Sequence, residues 1–116
     1  MLEPVGSEGE LGAQADALLA QTELLRNAEG LPDVAALRQR VRRTRTDARA
    51  RLQLGTVLAG RGEFEPALEA LLAAAELDPK LATGPAREEM VKVFYALGSN
   101  HPLPNDYRSR LARLLY

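Results

Sequence analysis

Between Ala13 and Tyr116 no stretch alternates apolar with polar residues; apolar side chains recur every three or four positions, broken at short intervals by Gly or Pro. That period belongs to helices, and a chain that never offers a period of two cannot give a sheet one buried face. The first dozen residues, 1–12, combine Gly6, Gly9, Gly12, Pro4 and several acids without periodicity, and read as a flexible lead. Beyond them, Ala17, Leu18, Ala20, Leu24 and Leu25 mark a first helix stopped by Gly30, and Pro32-Asp33 opens a second that carries Val34, Leu37 and Val41. Asp47 caps a third, with Ala48, Leu52, Leu54 and Leu58, which ends at Gly60 and Gly62. A fourth starts near Glu63 and stops at Asp78-Pro79; a fifth runs from Gly84-Pro85 to Gly98; a sixth starts about Pro104 and ends at Tyr116 with Tyr107, Leu111, Leu114 and Leu115 on its buried face. Short turns force successive helices to be neighbours, so the six helices are expected as three antiparallel pairs, over residues 13–45, 47–79 and 85–116.

Composition supports this and removes most chemistry. The apolar residues are mainly alanine and leucine, strong helix formers, and aromatics make up only 4% of the 116 residues. There is no cysteine and a single histidine, which excludes disulfides, a thiol nucleophile, Cys-type zinc sites and iron–sulfur ligation within this sequence. A net charge of −1 gives no overall attraction for nucleic acid or an anionic membrane. No apolar run has the length of a membrane span and the N-terminus lacks the order of a signal peptide, so a cytoplasmic address is expected.

The segment Ala48 to Lys80 carries the most specific pattern. Leu54-Gly55, Leu58, Gly62, Ala67, Leu71, Ala74 and Pro79 stand at the spacing of a tetratricopeptide repeat (TPR), a helix–turn–helix unit of about 34 residues. Each residue type has a reason: Gly55 and Ala67 are small where two helices cross, the leucines fill the space beside the crossing, and Pro79 forbids further helix. Arg51 replaces the usual first aromatic, and Leu58 and Phe64 replace tyrosines. The flanking pairs keep the layout without the full signature; stepping back one period sets Leu24 opposite Leu58, but Asp33 falls where Ala67 would be. Worn terminal units suit a solenoid, whose ends must face water. The resemblance implies a TPR-like, right-handed solenoid of helical hairpins.

Leu31-Pro32-Asp33-Val34-Ala35, Asp47-Ala48-Arg49-Ala50-Arg51, Gly62-Glu63-Phe64-Glu65-Pro66-Ala67-Leu68, Ala86-Arg87, His101-Pro102 and Tyr107-Arg108-Ser109-Arg110-Leu111-Ala112 together resemble the C-terminal TPR-like region of bacterial thioredoxin-related co-chaperones, the chaperedoxin or YbbN type. That resemblance covers most of the chain after Leu31. It implies a non-catalytic module without cofactor whose partners are client polypeptides or chaperones; the thioredoxin-like domain of that family is not in this sequence.

Stacked hairpins line a concave face with their first helices, which places Arg49, Leu52, Thr56 and Ala59, then Ala86, Arg87, Met90 and Val93, as candidate partner-binding positions. Leu52, Met90 and Val93 equally suit a core. A clamp for a C-terminal carboxylate is disfavoured, since Leu52 and Thr56 stand where Lys and Asn are needed and only Arg87 fits. The competing reading is an anion or nucleic-acid face on Arg38, Arg42, Arg43 and Arg45, with Arg40, Arg49 and Arg51 beside them. No aromatic is interleaved for base stacking, which argues against nucleic acid, and a charge run is usually a solvated face. An enzyme is disfavoured: His101 has no nearby nucleophile or second metal ligand, and Glu88-Glu89 diverge by about 100° on a helix. Leu18 and Leu25 are expected to lack a neighbour, so a homodimer through the first or last hairpin is also expected.

Overall fold

The computed structural model describes residues 5–98 and 101–115, with side-chain exposure described from residue 12 onward. Among these residues the chain is all-helical and contains no strand. The helices are α1 (Val5–Ala28), α2 (Val34–Arg43), α3 (Ala48–Gly60), α4 (Phe64–Leu77), α5 (Pro79–Ala82), α6 (Pro85–Leu97) and α7 (Leu103–Leu115). Their ends fall where local chemistry sets them. The carboxylates of Asp33 and Asp47 accept the N–H groups of Ala36 and Ala50 at 2.8 and 2.9 Å, satisfying donors that the first turns of α2 and α3 leave free. Gly62, at φ +81°, turns the chain from α3 into α4 through a conformation other residues resist. Asp78-Pro79 ends α4 as expected, but Asp78 accepts Lys80 N–H at 3.0 Å and the chain coils at once into the one-turn α5.

The centre of the molecule is the α3–α4 pair. A Cβ on Gly55 would lie 2.6 Å from Leu71 Cγ and 3.1 Å from the Ala67 carbonyl oxygen, so only glycine lets these helices approach as closely as they do. Around that crossing Leu54, Leu58, Leu68, Leu71 and Leu72 are buried, and Met90, Val93 and Phe94 of α6 close the core from the next unit. The tetratricopeptide-like reading of 47–79 thus describes a real helical pair.

The terminal helices depart from simple pairing. α1 makes no close approach to α2; it lies along α3 and α6, while α2 packs on α3. The reason is in α2, which has one narrow apolar stripe, Val34, Leu37 and Val41, already spent on α3, and arginines elsewhere. α1 offers Ala20 and Leu24 as its buried face, whereas Leu18 and Leu25, expected on the same stripe as these, are exposed. α1 also starts at Val5, so residues 5–12 of the expected flexible lead are helical; 1–4 lie outside the described residues. At the other end α7 packs on α4, α5 and α6, burying Pro104, Tyr107 and Leu111. Leu114 and Leu115, expected inside, lie at the exposed edge; Tyr116, with Ser99 and Asn100, is outside the described residues.

α7 is tied to α4 by Glu69, whose carboxylate accepts from the Tyr107 hydroxyl and from Arg110 at 2.9 Å. These donors, Arg110 first and then Tyr107, hold the Glu69 carboxyl below its ordinary value against a smaller opposing effect of burial. Burial, then the Glu69 carboxylate, raises the Tyr107 phenol. Arg108 lies over the Phe94 ring at 4.9 Å, a second tie between α7 and α6.

Two stability outcomes follow from these contacts. Gly55→Val forces α3 from α4 and is expected to cost about 1–3 kcal/mol, read as a lower urea midpoint with an unchanged slope. Because the folded state depresses the Glu69 value, its stabilisation is present above the unfolded glutamate value of about 4.3 and is lost as pH falls through the folded one. Glu69→Gln is therefore expected to flatten the acid limb of the stability–pH curve, measured as urea midpoints across that range.

Candidate polypeptide-binding surface

The helices form layers. α4 packs on both α3 and α6, and α7 continues that outer layer, while α1 touches α3 and α6 but neither α4 nor α7. α3 and α6 are thus a middle layer, and α1 covers the side of it that a helical-hairpin solenoid presents as its inner face.

Against this frame the sequence-derived groove divides. Met90 and Val93 are fully buried in the core and Thr56 is 7% exposed, with its hydroxyl donating to the Leu52 carbonyl of its own helix at 3.0 Å. Leu52 is half-buried and packs against both the main core and the small Ala75, Ala82, Ala86 cluster. Met90 and Val93 are thus core, Thr56 is buried beside it, and Leu52 keeps part of its surface exposed. Arg49 and Arg87 are exposed. Of the set, Arg87 alone stands on open concave surface: it lines a cleft of about 440 Å³ between α1 and α6, with Leu19, Val91 and Tyr95. It also borders a second cleft of about 390 Å³, between α6 and α7, that ends at Leu115. Sequence reasoning missed Val91 and Tyr95. Their signal was present in an exposed aromatic one turn after a valine, on a helix whose core face was already filled by Met90, Val93 and Phe94.

The contact between α1 and the middle layer is close and partly polar. A Cβ on Gly60 would lie 2.7 Å from Ala28 Cβ and 3.1 Å from the Leu24 carbonyl oxygen, so α1 rests in a notch that glycine provides. Asn27 Nδ2 donates to Glu89 Oε1 at 2.7 Å, and Lys92 Nζ reaches Glu89 Oε1 at 3.5 Å and Glu23 Oε2 at 3.9 Å. Glu89 is itself 8% exposed, and its Oε2 is buried with no hydrogen-bond partner.

The alternative basic face is exposed as well. Arg38, Arg42, Arg43 and Arg45 are all at the surface with Arg49, and among the described residues none forms an ion pair. Arg40 pairs with Asp47 at 3.6 Å and donates to Gln53 at 3.2 Å, and Arg51 is held by the Arg45 carbonyl oxygen at 3.0 Å. His101 accepts the Leu103 N–H on Nδ1 at 3.2 Å at the start of α7, which gives it a structural use. Among the described residues no three or more His, Cys, Asp or Glu side chains gather as a metal site, and no helix is long and apolar enough to cross a membrane.

A family model described as tetratricopeptide repeat matches residues 27–116. The chain belongs to the tetratricopeptide repeat family. That fold mediates contacts between proteins, so protein partners are the expectation for this repeat protein. No curated protein and no solved structure matches the chain. The matched span opens at residue 27 and so includes the last two residues of α1, Asn27 and Ala28.

The buried carboxylate is not there for stability. Glu89→Met, which keeps the volume and removes the orphaned oxygen, is expected to raise the unfolding free energy by about 1 kcal/mol, since Asn27 and Lys92 can turn to water. A lower thermal midpoint would show that the Asn27–Glu89–Lys92 contacts outweigh that burial.

Proposed function

We propose that this tetratricopeptide repeat chain is the polypeptide-binding part of a thioredoxin-related co-chaperone, acting in the cytoplasm to hold client polypeptides or to dock on chaperones. The observation that carries the reading is the open cleft at Arg87, where Leu19, Val91 and Tyr95 supply apolar surface beside a cation. Charges of both signs rim that apolar surface, Arg87 and Lys92 against Asp16, Glu23 and Glu88, so a largely apolar segment matches the lining, apolar area giving affinity and ion pairs of either sign fixing its position. The resemblance of Leu31–Ala112 to chaperedoxin-type sequences supplies the cellular role. Copies are also proposed to associate through α1, whose Leu18 and Leu25 are 65% and 58% exposed one above the other.

The basic face supports a second reading, because its arginines are exposed and, among the described residues, form no ion pair: an adaptor for anionic partners. It stands second because aromatic side chains for base stacking are not interleaved with these arginines.

The first reading is tested by light scattering with a chemically unfolded client diluted into buffer. The chain is expected to suppress aggregation, and Tyr95→Asp, a change at an exposed position, with Val91→Asp at the half-buried position beside it, to lose most of that effect while the helical circular dichroism is kept. A wild-type chain that leaves the aggregation curve unchanged overturns the reading. For the second, Arg42→Glu with Arg43→Glu is expected to abolish binding to a mixed-sequence oligonucleotide at low salt; no binding by the wild type ends it.

A further inference from the structure

Glu89 presents a demand that α1 does not meet. Burying a carboxylate without a donor for each oxygen leaves a desolvated acceptor unsatisfied even where, as here, Lys92 balances the charge. Here α1 supplies a neutral amide, Asn27, to Oε1 alone, Lys92 shares that same oxygen at 3.5 Å, and Oε2 is left without a partner. A guanidinium at the position of Asn27 would bring paired donors of the right charge to the carboxylate.

The rest of the α1 seat is specific in shape. Ala20 and Leu24 are buried, Glu23 faces Lys92, and Ala28 fits the Gly60 notch. With position 27 these lie on one helix face, so the surface of α3 and α6 reads a helix as small, acid, Leu, polar and small at positions 20, 23, 24, 27 and 28. At position 27 it asks for more charge than α1 gives.

Among the described residues the backbone of α1 comes close to α3 and α6 and not to α2, α4 or α7, and five residues from Glu29 to Asp33 join it to α2, with Gly30 at φ +79° among them. Removing it would uncover the middle layer without breaking the α3–α4 crossing on which the core depends.

We propose that α1 is an internal occupant of the inner face of α3 and α6, and that this face is built for a partner helix of the same pattern carrying Arg or Lys where α1 has Asn27. The inference rests on the polypeptide-binding reading and adds its regulation: the chain holds its own site shut with an imperfect ligand. A partner of better charge displaces it, and its apparent affinity is lowered by the fraction of time α1 is seated.

The test uses the full chain and fluorescent peptides of residues 13–28, either wild-type or with Asn27→Arg, titrated by anisotropy. Arg is the better helix former at this last-turn position, so the contact with Glu89 is read from the part of the preference for the Arg peptide that Glu89→Met in the chain removes. The Arg peptide is expected to bind about tenfold tighter than the Asn peptide, the scale of one charge-assisted hydrogen bond. Most of that preference is expected to be lost with Glu89→Met in the chain. Asn27→Arg placed in the chain itself is expected to seat α1 more firmly and weaken Arg-peptide binding by about tenfold. Equal binding of the two peptides, no binding of either, or Arg-peptide binding unchanged by Asn27→Arg in the chain each overturns the proposal. Client holding, measured on the same proteins, separates the two ideas. Peptide selectivity without client holding sinks only the co-chaperone reading, and equal client holding by the wild-type and Asn27→Arg chains sinks only the occlusion.

Discussion

The molecule depends on one close approach, that of α3 to α4 at Gly55. With no side chain there, Leu71 and the Ala67 carbonyl occupy the space, the two helix axes come near, and the leucines on either side interlock. A pair packed this way presents a long face on each side. The outer one is extended by α7, and α6 adds to the inner layer, so the positions of the Arg87 cleft and of α1 both follow from that single crossing.

Closeness at the core contrasts with the contact that α1 makes. Its seat has a notch of the same kind, Gly60, takes up Ala20 and Leu24 from the helix among the residues whose exposure is described, and encloses a carboxylate that is half satisfied. Apolar contact holds α1 in place and the unsatisfied Glu89 oxygen works against it. Such a balance suits a surface that exchanges partners, because a competitor needs only one better charged contact to prevail.

Much of the fold was legible in the residues. Asp47 caps α3 as expected, Asp33 caps the helix that Pro32-Asp33 was expected to open, and the spacing from Leu54 to Pro79 pointed to the central pair. The candidate groove was less legible. Helical periodicity identifies the apolar face of α6 but not what lies against it, and so Met90 and Val93, suitable for a groove or a core, proved to be core. Glu89 was passed over as one of two diverging acids because its significance comes from Asn27, 62 residues away in the chain. Val91 and Tyr95 were overlooked for a related reason: an exposed side chain becomes part of a cleft only once α1 stands opposite it.

The sequence by itself determined that the chain is helical, where most helices start and stop, and that one pair is a tetratricopeptide unit. These are local matters, settled by periodicity, capping carboxylates and residues too small or too rigid to be placed otherwise. Only the tertiary structure decided where α1 goes. A helix chooses among neighbours by the apolar area each can still offer, and α2, its stripe already buried on α3, had none left, whereas the joint face of α3 and α6 did.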